Sequence, residues 1–347
     1  MAARFLFAIH ALEPTGAGLG LLELAQHMIL AGHRVEVSVS GPADPFLRAE
    51  LENAGAAVLS GAVQPDRYDA AMLSTVAVAE DVLRVAPHIP VVWRIHEGLS
   101  GFNLIYANPR VVHAFKAAHH IVFPHEYCRD NVFIPFLDGL PRHRISIVPS
   151  GISLPSEQPD TGGRNGILFV GSLYDRKRPF DLLRAVLSDL SDDVPCRLIG
   201  PADAVGADTR DILAANPGRF QVTGPLPAAE LANAYHQAAV LALPSGCESF
   251  GRAPLEAAAH GCVPVLSDLP VYRDLWQNGR NALLHPVGDT ASLGQALRLA
   301  LGDRKYRRKL ADAARKTAQN FPIGTTLERM RLILEQTARI YEPGEAP

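Results

Sequence analysis

The 347-residue sequence predicts an α/β protein made of two Rossmann-like, doubly wound domains facing each other across a cleft. Three observations predict it. Short apolar runs bounded by Gly, Pro and Asn alternate with helical periodicities, the pattern of buried parallel strands joined by helices. The rhythm breaks once, in "SGISLPSEQPDTGGRNG" (150–166), which is rich in Gly, Pro, Ser and Asp. It then restarts at similar length, and a chain of this size accommodates two ordinary domains.

The elements follow in order. "RFLFAIH" reads as the first strand, and "LGLLELAQHMILAG" as a helix with Gly32 just past its end. "HRVEVSVS", "DAAMLST", "VVWRIH", "HIVFP" and "RISIVPS" read as further strands with helical stretches between most of them. After the linker, "ILFVGS" is a strand and "FDLLRAVLSDL" a helix; "CRLIG", "FQVTG", "VLALPS", "VPVLSD" and "NALLHPV" are the later strands. The expected divisions are a first Rossmann-like domain over 1–150, a second over 151–325, and a C-terminal helix over 326–347 that packs back on the first. Ligands of such sheets sit at the carboxyl ends of the strands, so residues just after each strand are the ones to search.

Composition narrows the function. Apolar residues make up 48% of the chain, enough for two cores, and the net charge of -3 gives no general affinity for nucleic acid. Runs such as "VLALP" and "GILFV" are far too short to cross a bilayer. "MAARFLFAIHALEP" is read as a strand and not a secretion signal, because His10 and Glu13 interrupt it and no small-residue cleavage site follows. Cys128, Cys196, Cys247 and Cys262 share no metal-ligand spacing and no C-x-x-C, which suits a reducing cytoplasm without structural zinc or disulfides. "RKYRRKLADAARK" is basic on one side. Acidic and alanine positions interrupt it, which favours a solvated helix face over a membrane-surface patch.

The chemistry concentrates in "GCESFGRAPLEAAAHGCVPV" (246–265). It follows the strand "VLALPS", so Glu248 falls in the loop at the strand's carboxyl end. Arg252, Ala253 and Pro254 open a helix, proline being well tolerated in a first turn, and Gly261 ends it. Glu256 is expected near that first turn. The backbone N–H groups at such a helix start make a site for phosphate. A carboxylate near a helix start can simply offset the dipole, which accounts for Glu256 but not for Glu248 beside a phosphate-friendly turn. A glycosidase acid/base pair would need both carboxylates converging on one bond, which a loop and a helix turn do not obviously supply.

With "SFG" after the first glutamate and "LEA" around the second, the spacing of Glu, seven residues, Glu resembles the retaining glycosyltransferases of the GT-B fold, family four (glycosyl transferases group 1). The resemblance extends through "IVPSGI", "VGSLYDRKRP", "GPLPAAELANAYHQAAVLALPS" and "GCVPVLSDLPVYRDL", in the family's order. It implies an acceptor-side first domain and a nucleotide-sugar-binding second domain. It implies that Glu256 binds the ribose hydroxyls of a nucleotide sugar and that Glu248 contacts the transferred sugar. Phe250, Gly251 and Arg252 then cradle the diphosphate and sugar, and Lys177 neutralises the diphosphate as it leaves. Ser172 stands where the family has an arginine, with Arg176 as the substitute. His96, after the strand "VVWRI", matches a histidine that reaches the sugar. "TGAGLG", with Gly18, matches a glycine loop that lets backbone approach the diphosphate or acceptor. Backbone near Gly200 and Leu226 is expected to read the base.

Local readings stand beside these: a strand-end histidine with a local hydrogen bond for His96, a solvated lysine for Lys177, and a tight strand-to-helix turn for the glycines. No D-x-D occurs, so no metal is expected on the diphosphate, and the helix dipole with Lys177 takes that role. The expected function is a cytoplasmic, metal-independent, retaining transferase without a cofactor, acting on a UDP or GDP sugar and a glycan or glycolipid acceptor. Its setting would be bacterial surface-glycan or glycoconjugate assembly, with peripheral contact at the inner membrane face as a further option. The alternatives are a non-catalytic nucleotide-sugar-binding protein, which Ser172 keeps open, and an epimerase on the same architecture.

Overall fold

The structure is a computed structural model that describes residues 2–59, 63–156, 163–203 and 205–341. The chain divides into two compact units, one of residues 1–150 with 324–347 and one of residues 151–323. Linker residues 157–162 and the terminal residues 342–347 lie outside the described residues.

The first unit runs β1 (Arg4–Ile9), α1 (Gly16–Leu30), β2 (Arg34–Val39), α2 (Pro45–Asn53), β3 (Ala57–Leu59), β4 (Ala70–Ser74), α3 (Ala79–Val85), β5 (Val91–Arg94), α4 (Gly101–Ala107), α5 (Val111–Ala117), β6 (His120–Phe123) and β7 (Ile145–Ile147). The second runs β8 (Ile167–Val170), α6 (Pro179–Asp189), β9 (Cys196–Ile199), α7 (Ala207–Ala215), β10 (Gln221–Thr223), α8 (Ala228–Gln237), β11 (Val240–Leu243), α9 (Arg252–Ala259), β12 (Val263–Ser267), β13 (Leu283–His285), α10 (Thr290–Gly302) and α11 (Arg304–Ala318). A last helix, α12 (Ile323–Ile340), returns to the first unit.

Each unit holds one parallel sheet. The orders are β3-β2-β1-β4-β5-β6-β7 and β10-β9-β8-β11-β12-β13. In both, the order reverses between the first strand and the fourth, β1 against β4 and β8 against β11. A crevice opens at the carboxyl ends of the strands on either side of such a reversal. The central strands are apolar on both faces, as "FLFAI" and "VLAL" are, because helices cover both sides of the sheet.

The first sheet is covered by two apolar layers. One gathers Leu73, Val82, Trp93, Phe115 and Phe133 beneath α3 and α5; the other gathers Phe5, Leu24, Met28, Val37 and Leu51 beneath α1 and α2. Met330 and Leu334 of α12 belong to the second layer. His33 Nε2 to Glu335 at 3.0 Å and Thr326 Oγ1 to the Pro149 carbonyl at 2.8 Å fix α12 in place. The linker's Ile152 is fully buried in the second unit, bonded through its backbone to Phe321 and Ile323 at 2.9 and 2.8 Å.

The structure differs from the sequence reading at β3 and at the glycine loop. Strand β3 was not expected; at three residues it is too short to show a period. The glycine loop "TGAGLG" is not a loop: Gly16 to Gly20 are the opening turns of α1, capped by Thr15. Gly18 is required there because a Cβ would strike the Glu13 carbonyl oxygen at 2.0 Å.

Two half-buried histidines, one per unit, make the fold sensitive to acid. His120 of β6 pairs with Ser146 Oγ at 2.9 Å; burial first, then His143 and Arg144, bring its pKa to about 4. His260, stacked on Tyr235, is brought to about 4 by burial, then by His236 and Arg164. An unfolded histidine titrates at 6.5. Between 6.5 and about 4 the unfolded chain takes up protons that the folded chain refuses, so stability falls as pH drops through that window. Thermal melts from pH 7 to 4 should show this fall, and a His120→Asn/His260→Asn variant should flatten it. An unchanged slope in the double variant overturns the assignment.

Candidate active site

The switch point of the second sheet brings the sequence-derived residues together. β8 ends at Val170 and is followed by Gly171, Ser172 and a tight turn over Asp175–Lys177. β11 ends at Leu243 and is followed by Ser245, Glu248 and the start of α9. Lys177 Nζ meets Glu248 Oε1 at 2.5 Å, and Ser245 Oγ donates to the same oxygen at 2.7 Å. Arg176 Nη1 lies 3.8 Å from Glu248 Oε2 and donates to the Cys247 carbonyl at 3.2 Å. The Glu248 side chain is only 7% exposed. Burial by itself would raise its pKa, but Lys177, Arg176 and Ser245 outweigh burial and hold it below the usual carboxylate range. Glu248 is therefore an ionised carboxylate at neutral pH, pinned in one orientation. Ser245 was not singled out from the sequence; its signal was a hydroxyl three residues ahead of the glutamate.

Immediately C-terminal to Glu248 the backbone turns sharply. Gly251 takes φ +89° at the N-cap of α9, and no side chain caps this helix end. Phe250 is buried against Phe321, ring centroids 5.6 Å apart, which anchors the turn. Tyr272, on a turn after β12, covers Gly251 and is itself wholly buried; its hydroxyl has no hydrogen-bond partner among the described residues. Burial first and then Glu248 push the Tyr272 phenol well above its ordinary pKa.

Glu256 sits in the second turn of α9 rather than the first. Arg252 Nε donates to its Oε1 at 2.9 Å from one turn earlier, and the Tyr235 hydroxyl donates to Oε2 at 3.1 Å. Each oxygen keeps a further lone pair for a ligand hydroxyl. Tyr235, at the end of α8, carried no spacing signal. The two glutamates are thus held by separate partners: Glu248 by cations and a serine, Glu256 by an arginine and a phenol. Gly200 follows the last residue of β9, and Leu226 lies half-buried in the loop after β10.

In the first unit, His96 and Glu97 follow β5. His96 Nε2 is buried with no hydrogen-bond partner among the described residues, and burial, then Arg94 and His10, lower the ring's pKa well below 6.5. The ring is neutral at pH 7. Glu97, which the sequence reading missed, accepts from the Val76 amide at 2.9 Å and the His96 amide at 3.0 Å; burial raises its pKa to about 7 despite these bonds. Thr75, at the end of β4, holds φ +83°, a strained conformation for a non-glycine residue. His10 Nδ1 bonds its hydroxyl at 2.9 Å and Trp93 Nε1 bonds its carbonyl at 2.8 Å. This cluster lies across the first sheet's own switch point.

Two Rossmann-like units, each with a parallel sheet and a polar cluster at its switch point, constitute the GT-B fold. Residues 154–317 match the family model described as Glycosyl transferases group 1. The D-inositol 3-phosphate glycosyltransferase of Nocardia farcinica is 30% identical over 228 residues, 59% of this chain and 50% of that protein. The phosphatidyl-myo-inositol mannosyltransferase of Mycobacterium leprae is 28% identical over 207 residues, 56% of this chain and 52% of that one. The chain spans about half the length of the curated relatives it matches. Among solved structures, Anabaena HepE in complex with UDP-glucose superposes with a TM-score of 0.82 at 19% identity, over 96% of this chain and 100% of that one. WaaG, a glycosyltransferase involved in lipopolysaccharide biosynthesis, gives 0.71 at 14% identity, over 95% and 99%. Among the described residues no helix is long and apolar enough to cross a membrane.

Proposed function

We propose that the protein is a retaining, metal-independent glycosyltransferase that moves a sugar from a nucleoside-diphosphate sugar to an acceptor hydroxyl. The observation that carries this reading is the pinned Glu248 carboxylate, set at a topological switch point between Lys177 and the N-terminus of α9. A diphosphate at the helix start would meet the positive end of the dipole with Lys177 and Arg176 beside it. Charge developing on the leaving oxygen is stabilised there without a metal, and positioning supplies much of the rest. The departing phosphate takes the acceptor's proton, so no separate base is required. Glu256 receives the ribose diol, and Arg176 supplies the positive charge that Ser172 lacks. His96, neutral at the end of β5, is the first unit's candidate for a substrate contact.

A structural neighbour solved with UDP-glucose makes UDP sugars the first donors to test, with GDP sugars second. Relatives named for glycosyl transfer to inositol phosphates and lipids, and a neighbour in lipopolysaccharide assembly, support a setting in bacterial glycoconjugate synthesis. The deciding experiment follows nucleoside diphosphate release over time from several sugar nucleotides, with and without excess EDTA. Release in EDTA, dependent on an acceptor and retaining the anomeric configuration, is expected. Donor binding without any release, for every donor and acceptor tried, would make the chain a binding protein. Release that stops in EDTA and returns with magnesium would remove the metal-free mechanism.

A further inference from the structure

The second unit carries a cavity of about 870 Å³ that holds none of the charged residues of the α9 site and meets it only at Phe321, which also packs on Phe250. One wall is α11; the other is the segment from Asp274 to Asn281, with Phe321 and Leu275 among the lining. The walls are fixed to each other. Asn281, buried, donates to Thr317 Oγ1 and to the Leu275 carbonyl, both at 2.8 Å, and accepts from the Gln277 amide at 2.7 Å.

Five cations line this groove, Arg280, Lys305, Arg308, Lys309 and Lys316, against two carboxylates, Asp274 and Asp312. Asp312 is already engaged by Arg315, outside the groove. Several cations elsewhere are paired: Arg331 with Glu328 and Glu335, Arg298 with Asp189, Arg273 with Asp268. Lys305, Arg308, Lys309 and Lys316 make no ion pair among the described residues and are exposed. In a chain of net charge -3, this local surplus is not a property of the whole surface.

Their arrangement is linear. Lys305, Lys309 and Lys316 recur at i, i+4 and i+11 on one face of α11. Eleven steps of helical rise separate the ends of the row by about 16 Å. That is too long for one phosphate and fits several anionic groups in sequence. The shape also decides between partners. A bilayer is flat and would touch only the rim of a concave groove, and none of the large exposed apolar side chains lines it.

We propose that this groove binds a soluble, linear polyanion carrying several phosphate groups. Ammonium and guanidinium groups both serve phosphate, the latter in two-pronged fashion, and the bonds through Asn281 fix the walls that carry them. This does not depend on the α9 site having the role assigned to it above.

The test is calorimetry on the full chain with inorganic tripolyphosphate. Saturable binding is expected, weaker at about 200 mM than at about 50 mM salt, since exposed charges are screened. Lys305→Gln/Lys309→Gln, at exposed helical positions, should weaken it by about tenfold, the loss of two exposed ion pairs. Lys177→Ala should leave this binding intact. The proposal falls if no saturable binding appears or if the lysine pair makes no difference. It falls also if Lys177→Ala abolishes the binding, which would return the anion to the α9 site. Lysine-dependent association with vesicles containing phosphatidylserine, with no binding of tripolyphosphate, would make the groove a membrane contact instead.

Discussion

Glu248→Gln is expected to slow sugar transfer by about 10²-fold or more while nucleoside diphosphate affinity stays close to wild type. The carboxylate is buried, ionised and held by Lys177, Ser245 and Arg176, so its orientation is set before substrate arrives. A hydrogen bond from a sugar hydroxyl to a carboxylate strengthens as the ring gains positive charge, and such a bond acts mostly in the transition state. Glutamine keeps the shape and removes the charge. It also leaves Lys177 without its partner, free to meet the diphosphate, which should hold or slightly improve binding of the free nucleotide. Glu256→Gln should show the reverse balance. Its partners Tyr235 and Arg252 place it to accept a diol, and losing that acceptor costs about 1–3 kcal/mol of nucleotide affinity with a smaller change in turnover. Steady-state kinetics on both variants, with calorimetry on the free nucleotide, separates the roles. If both lose binding and turnover in the same proportion, the two glutamates act as one unit and the division is wrong.

Much of this site was legible in the sequence because it lies where strands end. A parallel strand buried on both faces reads as an apolar run, so "ILFV" and "VLAL" mark β8 and β11, and the residues after them are the switch-point residues. Glu248, Lys177 and Arg176 could be placed on that ground together with the family's spacing. The partners that orient the glutamates were not legible. Tyr235 and Tyr272 reach the site from other elements, and nothing in their neighbours distinguishes them from core aromatics. Glu97 was hidden for another reason: its significance lies in backbone amides from Val76 and His96, which leave no trace in side-chain pattern. The glycines of "TGAGLG" misled because the same residues that permit a loop also permit a helix to press its backbone against a neighbouring carbonyl. Gly18 against Glu13 is the second case.

The turn between the two glutamates yields the other large expected effect: Gly251→Ala should destabilise the protein by about 2–5 kcal/mol, from two costs that combine. Gly251 holds φ +89°, where an L-residue pays roughly 1–2 kcal/mol for its Cβ. That Cβ would also lie 2.5 Å from the Tyr272 ring and 2.8 Å from its hydroxyl, and overpacking a filled interior costs about 1–3 kcal/mol more. The ring has little room to yield. Tyr272 is wholly buried, its amide bonds the Leu269 carbonyl at 2.9 Å, and its own carbonyl accepts from Leu275 and Trp276 at 3.0 and 2.7 Å. The backbone must move instead, and what moves is the N-terminus of α9. Nucleotide affinity should therefore fall together with stability, which a purely remote destabilisation would not produce. The two costs can be separated in a Tyr272→Leu background, where the ring edge is gone and only the φ penalty remains. Denaturant unfolding of the four species should then show Gly251→Ala costing at least about 1 kcal/mol less in the leucine background than beside the native tyrosine, the coupling expected of residues in contact. Equal costs in both backgrounds would mean that Tyr272 does not confine the turn, and that glycine is needed at 251 for its backbone conformation alone.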